Sequence, residues 1–336
     1  MLINSVPKAE LHVHIEGTLE PEMVFAFARR NGVHPPAVDV NDLRAKYAFT
    51  DLQSFLNLYY ANMAVLRTEL DFTELADAYL TRARDAGVRH SEIFFDPQAH
   101  RSRGVPLSVV LDGLWSSIST SQERFGISTA LIMCFLRDRS VDEAMETLDE
   151  SLAYRERLVG VGLDSAEVGH PPSAFSDVFA RARSEGLRCV AHAGEEGPPE
   201  YVWQALDLLG VDRIDHGIRC MEDPALVARL RADQIPITVC PLSNVRLGVF
   251  PTLSEHVFPK MLEAGLLVTI NSDDPAYFGG YVDENFAALQ TEFGLTRQDL
   301  RLLASNSFTS AFLPPQQRDV YLREVEHARS PGESDN

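Results

Sequence analysis

The sequence predicts a single α/β domain folded as a (β/α)8 TIM barrel, and three observations favour this fold. Short runs of apolar, often β-branched residues alternate eight times with longer amphipathic segments, which is typical of parallel strands connected by helices. The length of 336 residues accommodates the roughly 250 residues of such a barrel plus insertions. No G-x-G-x-x-G sequence follows the first apolar run, which argues against an open dinucleotide-binding sheet.

Each predicted strand is a short apolar run, and the runs cover residues 11–15, 91–95, 130–135, 159–163, 188–193, 213–216, 237–240 and 268–271. Amphipathic segments between them predict helices over residues 72–86, 107–125, 141–155, 173–184, 199–209, 225–232 and 253–264. The strands therefore alternate with helices along the chain, as a closed parallel barrel requires.

The longest connection follows the first strand, at about residues 19–70, and predicts a helical insertion. Its aromatic residues are compatible with two roles, a lid over the barrel mouth or packing alone. These residues are Phe49, Phe55, Tyr59 and Tyr60. We predict one (β/α)8 domain over residues 1–327. Residues 328–336 combine Pro, Gly and Ser with charges and predict a disordered tail.

The composition restricts the class of partner. The formal net charge is −19, so the surface repels phosphate backbones and anionic membranes, and neither is an expected partner. The four cysteines form no C-x-x-C pair and are typical of a reduced, cytoplasmic protein. We find no signal peptide and no apolar run of about 18 residues. The oligomeric state stays open, and a homo-oligomer is one possibility.

Histidines stand at the ends of three predicted strands. His12 and His14 alternate along the first strand, so both imidazoles face the same side of the sheet. His192 ends the fifth strand, and Gly194 allows a sharp turn that directs Glu195 back into the barrel mouth. Singly, each pattern is also compatible with a half-buried histidine or a structural turn.

Two further motifs complete the pattern. His216 ends the sixth strand and precedes a glycine, and Asp273 and Asp274 follow the eighth strand. Two adjacent buried carboxylates are costly unless a positive group holds them. A barrel brings the carboxyl ends of its strands to one rim, where active sites of this fold lie. Three histidines and one aspartate there predict a mononuclear zinc site with a position left for water.

These motifs resemble the adenosine/adenine deaminase family of the amidohydrolase superfamily. The resemblance rests on residues 7–17, 192–195, 215–217 and 272–275, which run in the family's order. Residues 94–98, 165–172 and 194–200 are similar to the bacterial and fungal adenine deaminase subgroup in particular. The resemblance implies hydrolytic deamination of adenine to hypoxanthine and ammonia, in purine salvage and nitrogen catabolism.

The resemblance also implies roles for individual residues. One Zn²⁺ per chain would be bound by His12, His14, His192 and Asp273. Glu195 would protonate the purine ring nitrogen beside the reacting carbon, and His216 would orient the attacking water. Asp274 would contact the five-membered ring of the base, either as acceptor of a ring N–H or, if protonated, as donor to a ring nitrogen.

Two parts of the predicted substrate site depart from nucleoside deaminases. The loop after the fourth strand lacks the family's Ala-Gly-Asp-Glu pattern, so Glu167 and Gly169 are both candidates for the contact with the base. Glu16 stands where nucleoside deaminases carry an aspartate that binds ribose. We expect its longer side chain to accept the free N9–H of a base and to exclude a nucleoside, although a turn-capping role is the alternative.

Other functions remain as alternatives. Adenosine or an N6-substituted adenine of the cytokinin type would be the substrate of a closely similar site. A binuclear amidohydrolase needs a carboxylated lysine on the fourth strand, and Lys8, Lys46 and Lys260 all lie elsewhere. The P-C-x-x-C motif of the cysteine-ligated zinc deaminases is absent. A non-catalytic zinc-binding barrel would have no use for Glu195 and His216 beside its metal.

Overall fold

The computed structural model describes residues 2–328, and its centre is a sheet of eight parallel strands. Each strand pairs with the next one in the chain, in the order β1 to β8. The strands are β1 (Lys8–His14), β2 (Val88–Phe95), β3 (Ser128–Leu136), β4 (Leu158–Asp164), β5 (Arg188–Ala193), β6 (Arg213–His216), β7 (Ile237–Val239) and β8 (Val268–Ile270). All eight predicted strands are present, and the predicted (β/α)8 barrel is confirmed.

The barrel closes between its first and last strands just beyond β8. The backbone N–H of Asp273 donates to the carbonyl of His12, and the N–H of His14 donates to the carbonyl of Asp273, both over 3.0 Å. Val13 and Asp273 thus form a parallel bridge. Because this closure lies at the carboxyl rim, it brings two histidines of β1 beside the aspartate that follows β8.

The predicted insertion after β1 is helical. The chain starts with α1 (Leu2–Ser5), and the insertion contains α2 (Pro21–Asn31), α3 (Val40–Ala45) and α4 (Leu52–Met63) before α5 (Glu69–Asp85) leads to β2. The side chain of Asp51 caps α4 by accepting the N–H of Ser54 over 2.7 Å. This cap sets the start of a helix whose aromatic face covers the barrel mouth.

The remaining helices surround the sheet and close its ends. They are α6 (Pro97–Arg101), α7 (Leu107–Ile118), α8 (Ser121–Phe125), α9 (Val141–Ser151), α10 (Ser176–Ser184), α11 (Pro199–Gln204), α12 (Pro224–Asp233), α13 (Pro241–Arg246), α14 (Phe258–Glu263), α15 (Pro275–Phe278), α16 (Val282–Phe293), α17 (Arg297–Thr309) and α18 (Pro315–His327). A π-helical turn, Ala205–Leu209, extends α11.

Two predicted helices are divided in the structure, and one of them, 253–264, forms a 3-10 turn, Leu253–Glu255, followed by α14. The segment 107–125 forms α7 and α8 because Ser119 and Thr120 interrupt it. Serine and threonine hydroxyls compete for nearby backbone groups, and Thr120 Oγ1 donates to the carbonyl of Ser117 over 3.2 Å. Amphipathic periodicity continues across the break, which is why the sequence pattern did not reveal it.

The C-terminal helices cover the amino end of the barrel. Leu11, Phe308 and Val325 belong to one buried apolar cluster that joins β1 to α17 and α18. Ala328, the first residue of the predicted tail, is buried, and its carbonyl accepts a hydrogen bond from Arg297. The rest of that prediction, 329–336, lies outside the described residues. No helix within residues 2–328 is long and apolar enough to cross a membrane.

Candidate active site

A pocket opens at the carboxyl ends of the strands. Polar groups from strand ends share the lining with apolar and aromatic residues; the lining residues are His14, Leu52, Phe55, Leu56, Tyr59, Tyr60, Asp96, Asp164, Ser165, His192, Glu195, His216, Leu247, Asp273, Asp274 and Phe278. The strand ends therefore deliver a small pocket with many titratable groups.

The four predicted metal ligands converge at the base of this pocket. Each contributes one ligand atom, and all four atoms lie within 4.8 Å of one another; the residues are His12, His14, His192 and Asp273. His12 Nε2 is 3.1 Å from Asp273 Oδ1, and His14 Nε2 is 3.2 Å from His192 Nε2. All four residues are buried. The donor set of three imidazoles and one carboxylate suits a divalent transition metal such as zinc.

Outer residues orient two of the ligand imidazoles. Thr238 Oγ1 donates to Asp215 over 2.8 Å, so its oxygen accepts from His12 Nδ1, which is 2.9 Å away. His14 Nδ1 lies 3.6 Å from Asp164 Oδ2. Such partners hold the tautomer and ring orientation of metal-binding histidines. With Nδ1 directed outwards, Nε2 of each ring faces the centre of the cluster.

The charge states of the cluster also suit a cation. Burial lowers the pKa of His14 to about 4. Burial and the neighbouring imidazoles of His12 and His216 hold the pKa of His192 well below its usual range. Burial by itself would raise the pKa of Asp273, but His12 and the other imidazoles outweigh it and lower that pKa. Neutral histidines beside an ionised aspartate are the forms that bind metal.

The backbone is strained at the same rim. Ser165, His216 and Asp273 have φ values of +72°, +63° and +65°, and they are three of the four non-glycine residues with positive φ in residues 2–328. Left-handed conformations of such residues cost of order 1–3 kcal/mol each and cluster at functional sites. Each follows or ends a strand, so the strain turns the chain at the point where a side chain enters the pocket.

Glu195 lies on the loop that follows β5, as predicted. Gly194 has φ +74°, and a Cβ there would come within 2.7 Å of Val202, so only glycine makes this turn without strain. Glu195 Oε2 is 3.6 Å from His216 Nε2, and its Oε1 has no hydrogen-bond partner among the described residues. Burial, with the charges of Asp273 and Glu167, raises the pKa of Glu195 well above its usual range. The carboxyl group is thus able to donate a proton near neutral pH.

Asp274 also enters the pocket as a buried side chain. Its Oδ1 finds no hydrogen-bond partner within residues 2–328. Burial and the charge of Asp273 raise the pKa of Asp274 well above its usual range. Gly17 packs against it so closely that a Cβ at this glycine would lie 2.0 Å from Asp274 Oδ1. The side chain is therefore held in place with a free oxygen towards a ligand.

The structure gives Glu167 and Gly169 positions that the sequence did not indicate. Glu167 lies outside the pocket lining, and its carboxylate accepts four backbone N–H groups of residues 194–197, over 2.6–3.0 Å. Both carboxylate oxygens of Glu167 therefore accept hydrogen bonds from the loop that carries Glu195. Gly169 is exposed on the loop beyond it and does not line the pocket. A contact of either residue with a base stays a prediction without geometric support.

Glu16 is buried beside the pocket and does not line it. Its Oε1 accepts from His100 Nε2 over 2.7 Å and from the backbone N–H of Asp96 over 3.2 Å. Its Oε2 has no hydrogen-bond partner in the described part of the chain. The predicted contact between Glu16 and the N9–H of a base would therefore depend on Oε2 alone.

Two carboxyl groups at the pocket were missed by the sequence analysis. Asp96 directly follows β2 and Asp164 ends β4, and both are buried in the lining. Burial raises the pKa of Asp164 to about 7, and burial with the Asp164 and Glu16 charges raises that of Asp96 well above its usual range. The available signal was their position at strand ends, which they share with the histidines.

The insertion contributes a lid. Phe55, Tyr59 and Tyr60 of α4 line the pocket, and the Tyr60 hydroxyl is 2.9 Å from Ser165 Oγ on the loop after β4. Phe49 instead packs against Phe55 with ring centroids 5.4 Å apart. Three of the four aromatic residues thus cover the site, and the fourth supports them.

Comparisons with known proteins agree with this geometry. A family model described as adenosine deaminase matches residues 7–328. The adenine deaminase of Streptomyces coelicolor is 61% identical over 97% of this chain and 96% of its own length. The crystal structure of adenine deaminase from Arthrobacter aurescens is 57% identical, with a TM-score of 0.95 over 96% of this chain and 98% of that one. An amidohydrolase from Burkholderia ambifaria, crystallised with bound zinc, is 28% identical, with a TM-score of 0.89 over 97% of this chain and 92% of that one.

Proposed function

Because the chain belongs to the adenosine deaminase family, we propose that it hydrolyses adenine to hypoxanthine and ammonia with one bound zinc ion. One observation carries the proposal: a protonatable Glu195 and a His216 stand beside four convergent candidate metal ligands in one buried pocket. The similarity of 57–61% identity to adenine deaminases supports adenine as the substrate. A non-catalytic metal protein would not need the acid and base groups.

The residues that would hold the zinc are His12, His14, His192 and Asp273. Their burial and convergence fit the donor set of a catalytic zinc site, in which a position is left for water. Zinc, when bound, supplies the acidity that makes water a nucleophile near neutral pH.

His216 and Glu195 would move the protons of the reaction. Burial lowers the pKa of His216 to about 3, so its neutral imidazole is able to accept a proton from the attacking water. Glu195 gives its proton to N1 of the base as the water oxygen adds to C6. The amino group takes up the proton from His216, the C6–N bond breaks, and ammonia leaves. The proton of the hydroxyl group on C6 returns to Glu195, which leaves hypoxanthine and restores the acid. Asp274 orients the five-membered ring.

The substrate assignment is tested by steady-state kinetics on adenine and adenosine, with ammonia release as the readout and hypoxanthine identified as product. We expect kcat/KM for adenine to exceed that for adenosine by about 10⁴-fold or more, because a site built to bond an N–H leaves a buried group unpaired when that N–H is missing. An enzyme that prefers adenosine would refute the proposal, and so would one that releases no ammonia from adenine.

Metal content tests the cofactor. We expect about one equivalent of zinc per chain in the purified protein, and its loss in His192→Ala, because this change removes one of the three imidazoles of the candidate donor set. Exposed His327→Ala serves as the matched control and should bind zinc normally. Two equivalents in the wild type would contradict the mononuclear site, and full binding by His192→Ala would contradict the ligand assignment.

A further inference from the structure

We propose that Asp96 is a specificity-determining residue, which hydrogen-bonds the N3 and N9–H edge of the base and so excludes nucleosides. The inference rests on the proposed deamination of adenine and adds a residue that distinguishes a base from a nucleoside. It begins from a position at the pocket, directly after β2, where a buried carboxyl group faces the ligand space.

The surroundings of Asp96 hold its backbone and leave one oxygen of its side chain unpaired. Its N–H donates to Glu16 Oε1, which also accepts from His100, and its carbonyl accepts from the N–H of Ala99. Its Oδ1 is buried and has no hydrogen-bond partner in the part of the chain that the structure describes. A rigidly placed, unpaired oxygen at a pocket wall indicates a partner that arrives with the ligand.

Asp164 is the neighbouring carboxyl group of this wall, and its oxygens also have no hydrogen-bond partner among the described residues. Asp164 lies 3.6 Å from His14 Nδ1 and so supports a metal ligand. Ser165 Oγ lies within hydrogen-bond distance of the Tyr60 hydroxyl. Glu195 and Asp274 serve N1 and the N7 side of the base in the proposed reaction. Because Asp164 faces His14, we assign the edge of the base that remains, N3 with N9, to Asp96.

The chemistry of this edge matches a carboxyl group close to other carboxyl groups. Ligand atoms of Asp96, Asp164 and His14 lie within 4.8 Å of one another, with no lysine or arginine in the lining. Neighbouring buried carboxyl groups retain a proton, so such a group presents one O–H donor and one oxygen acceptor. In adenine, the N3 acceptor and the N9–H donor stand side by side and complement that pair. Ribose at N9 removes the donor and occupies the space.

The experiment compares adenine with 9-methyladenine, which differs only at N9. For wild type, Asp96→Ala and Asp96→Asn, kcat/KM is measured on both compounds, with inhibition constants where turnover is too slow. We expect Asp96→Ala to lose about 100-fold on adenine and less than about 5-fold on 9-methyladenine, because the hydrogen bonds to N3 and N9–H are lost together and leave buried polar atoms unpaired. Asp96→Asn should stay within about 10-fold of wild type on adenine, because a carboxamide also presents a donor and an acceptor.

Control measurements distinguish recognition of N9–H by Asp96 from a general loss of activity and from metal binding. Exposed Asp149→Ala should behave as wild type on both compounds. If both Asp96 variants lose activity equally on adenine and 9-methyladenine, or if Asp96→Ala is insoluble and Asp96→Asn shows such an equal loss, the proposal is overturned. It is also overturned if zinc content falls from two equivalents to one in Asp96→Asn, which would make Asp96 a metal ligand.

Glu16 offers a second comparison. Because Glu16 contacts the backbone of Asp96, we expect Glu16→Gln to lower kcat/KM for adenine and 9-methyladenine by similar factors. A selective loss on adenine in Glu16→Gln, with none in Asp96→Ala, would assign N9–H recognition to Glu16 and overturn the proposal. Wild-type activity on adenine is the separate test of the proposed function, and it does not depend on either variant.

Discussion

Replacement of Glu167 should loosen the loop that carries Glu195, the proposed proton donor. The Glu167 carboxylate is 1% exposed and accepts from four consecutive backbone N–H groups. Oε1 accepts from Gly194 over 2.6 Å, and Oε2 accepts from Glu195, Glu196 and Gly197 over 3.0, 2.8 and 2.7 Å. A Cβ at Gly197 would lie 2.5 Å from Oε1, so the loop is built closely around this anion.

The expected loss in the free energy of unfolding follows from the number of hydrogen bonds to Glu167. A hydrogen bond to a charged group contributes about 1.5–3 kcal/mol, but four donors share one carboxylate and their contributions do not add. Glu167→Ala leaves four buried N–H groups, some of which water can reach, and should lower the free energy of unfolding by about 3–5 kcal/mol. In Glu167→Gln the amide oxygen can keep the three bonds of Oε2, while the NH₂ group faces the N–H of Gly194. The loss should then be about 2 kcal/mol.

The assay is urea unfolding followed by circular dichroism, with kcat on adenine and zinc content measured on the same samples. We expect stability to fall in the order wild type, Glu167→Gln, Glu167→Ala, and kcat to fall with it while zinc is retained. Exposed Glu200→Gln on α11 is the matched control and should change stability by less than about 0.5 kcal/mol. The reasoning is refuted if Glu167→Ala is as stable and active as this control.

Two further predictions concern proton transfer and pH. Glu195→Gln and His216→Ala should each lower kcat on adenine by about 10²–10⁴-fold or more, as expected for acid–base groups, with zinc content unchanged; retention of most turnover by Glu195→Gln would mean that another group protonates the base. Burial lowers the pKa of Lys8 from 10.5 to about 7. Above pH 7 the unfolded chain therefore holds a proton on Lys8 that the folded chain does not. As pH rises, the free energy of unfolding of the wild type should increase relative to that of Lys8→Met, by about 1 kcal/mol per pH unit between pH 7.5 and 9.5. A stability difference that stays constant over this interval would contradict the buried, neutral lysine.

Much of the metal site was predictable because its residues carry local signals. His12 and His14 alternate on one strand, and alternation alone places both imidazoles on one face. Gly194 and Glu195 follow β5 in a turn that glycine makes possible. In a parallel barrel every strand delivers its last residues to the same rim, so these local patterns meet without further information.

The contacts of Glu16 and Glu167 were not predictable in the same way. Both lie on loops after strands. A carboxylate at such a position is equally able to bind substrate or to accept hydrogen bonds from backbone N–H groups. The Glu167 contacts reach 27–30 residues along the chain, and the contact between Glu16 and His100 spans 84 residues. Such pairings depend on how the loops pack against one another. The alternation of side chains along the strands does not predict that packing.

The sequence by itself determined the barrel, the order of its strands and the residues available for a metal at its rim, because alternation, strand-end position and glycine turns are properties of short segments. Only the tertiary structure decided which carboxyl groups face the pocket. Asp96 and Asp164 line it, while Glu16 accepts from His100 and a backbone N–H, and Glu167 accepts from backbone N–H groups. The physical reason is that a buried carboxylate takes whichever donors the packed loops leave unsatisfied, and those donors exist only once the barrel has closed.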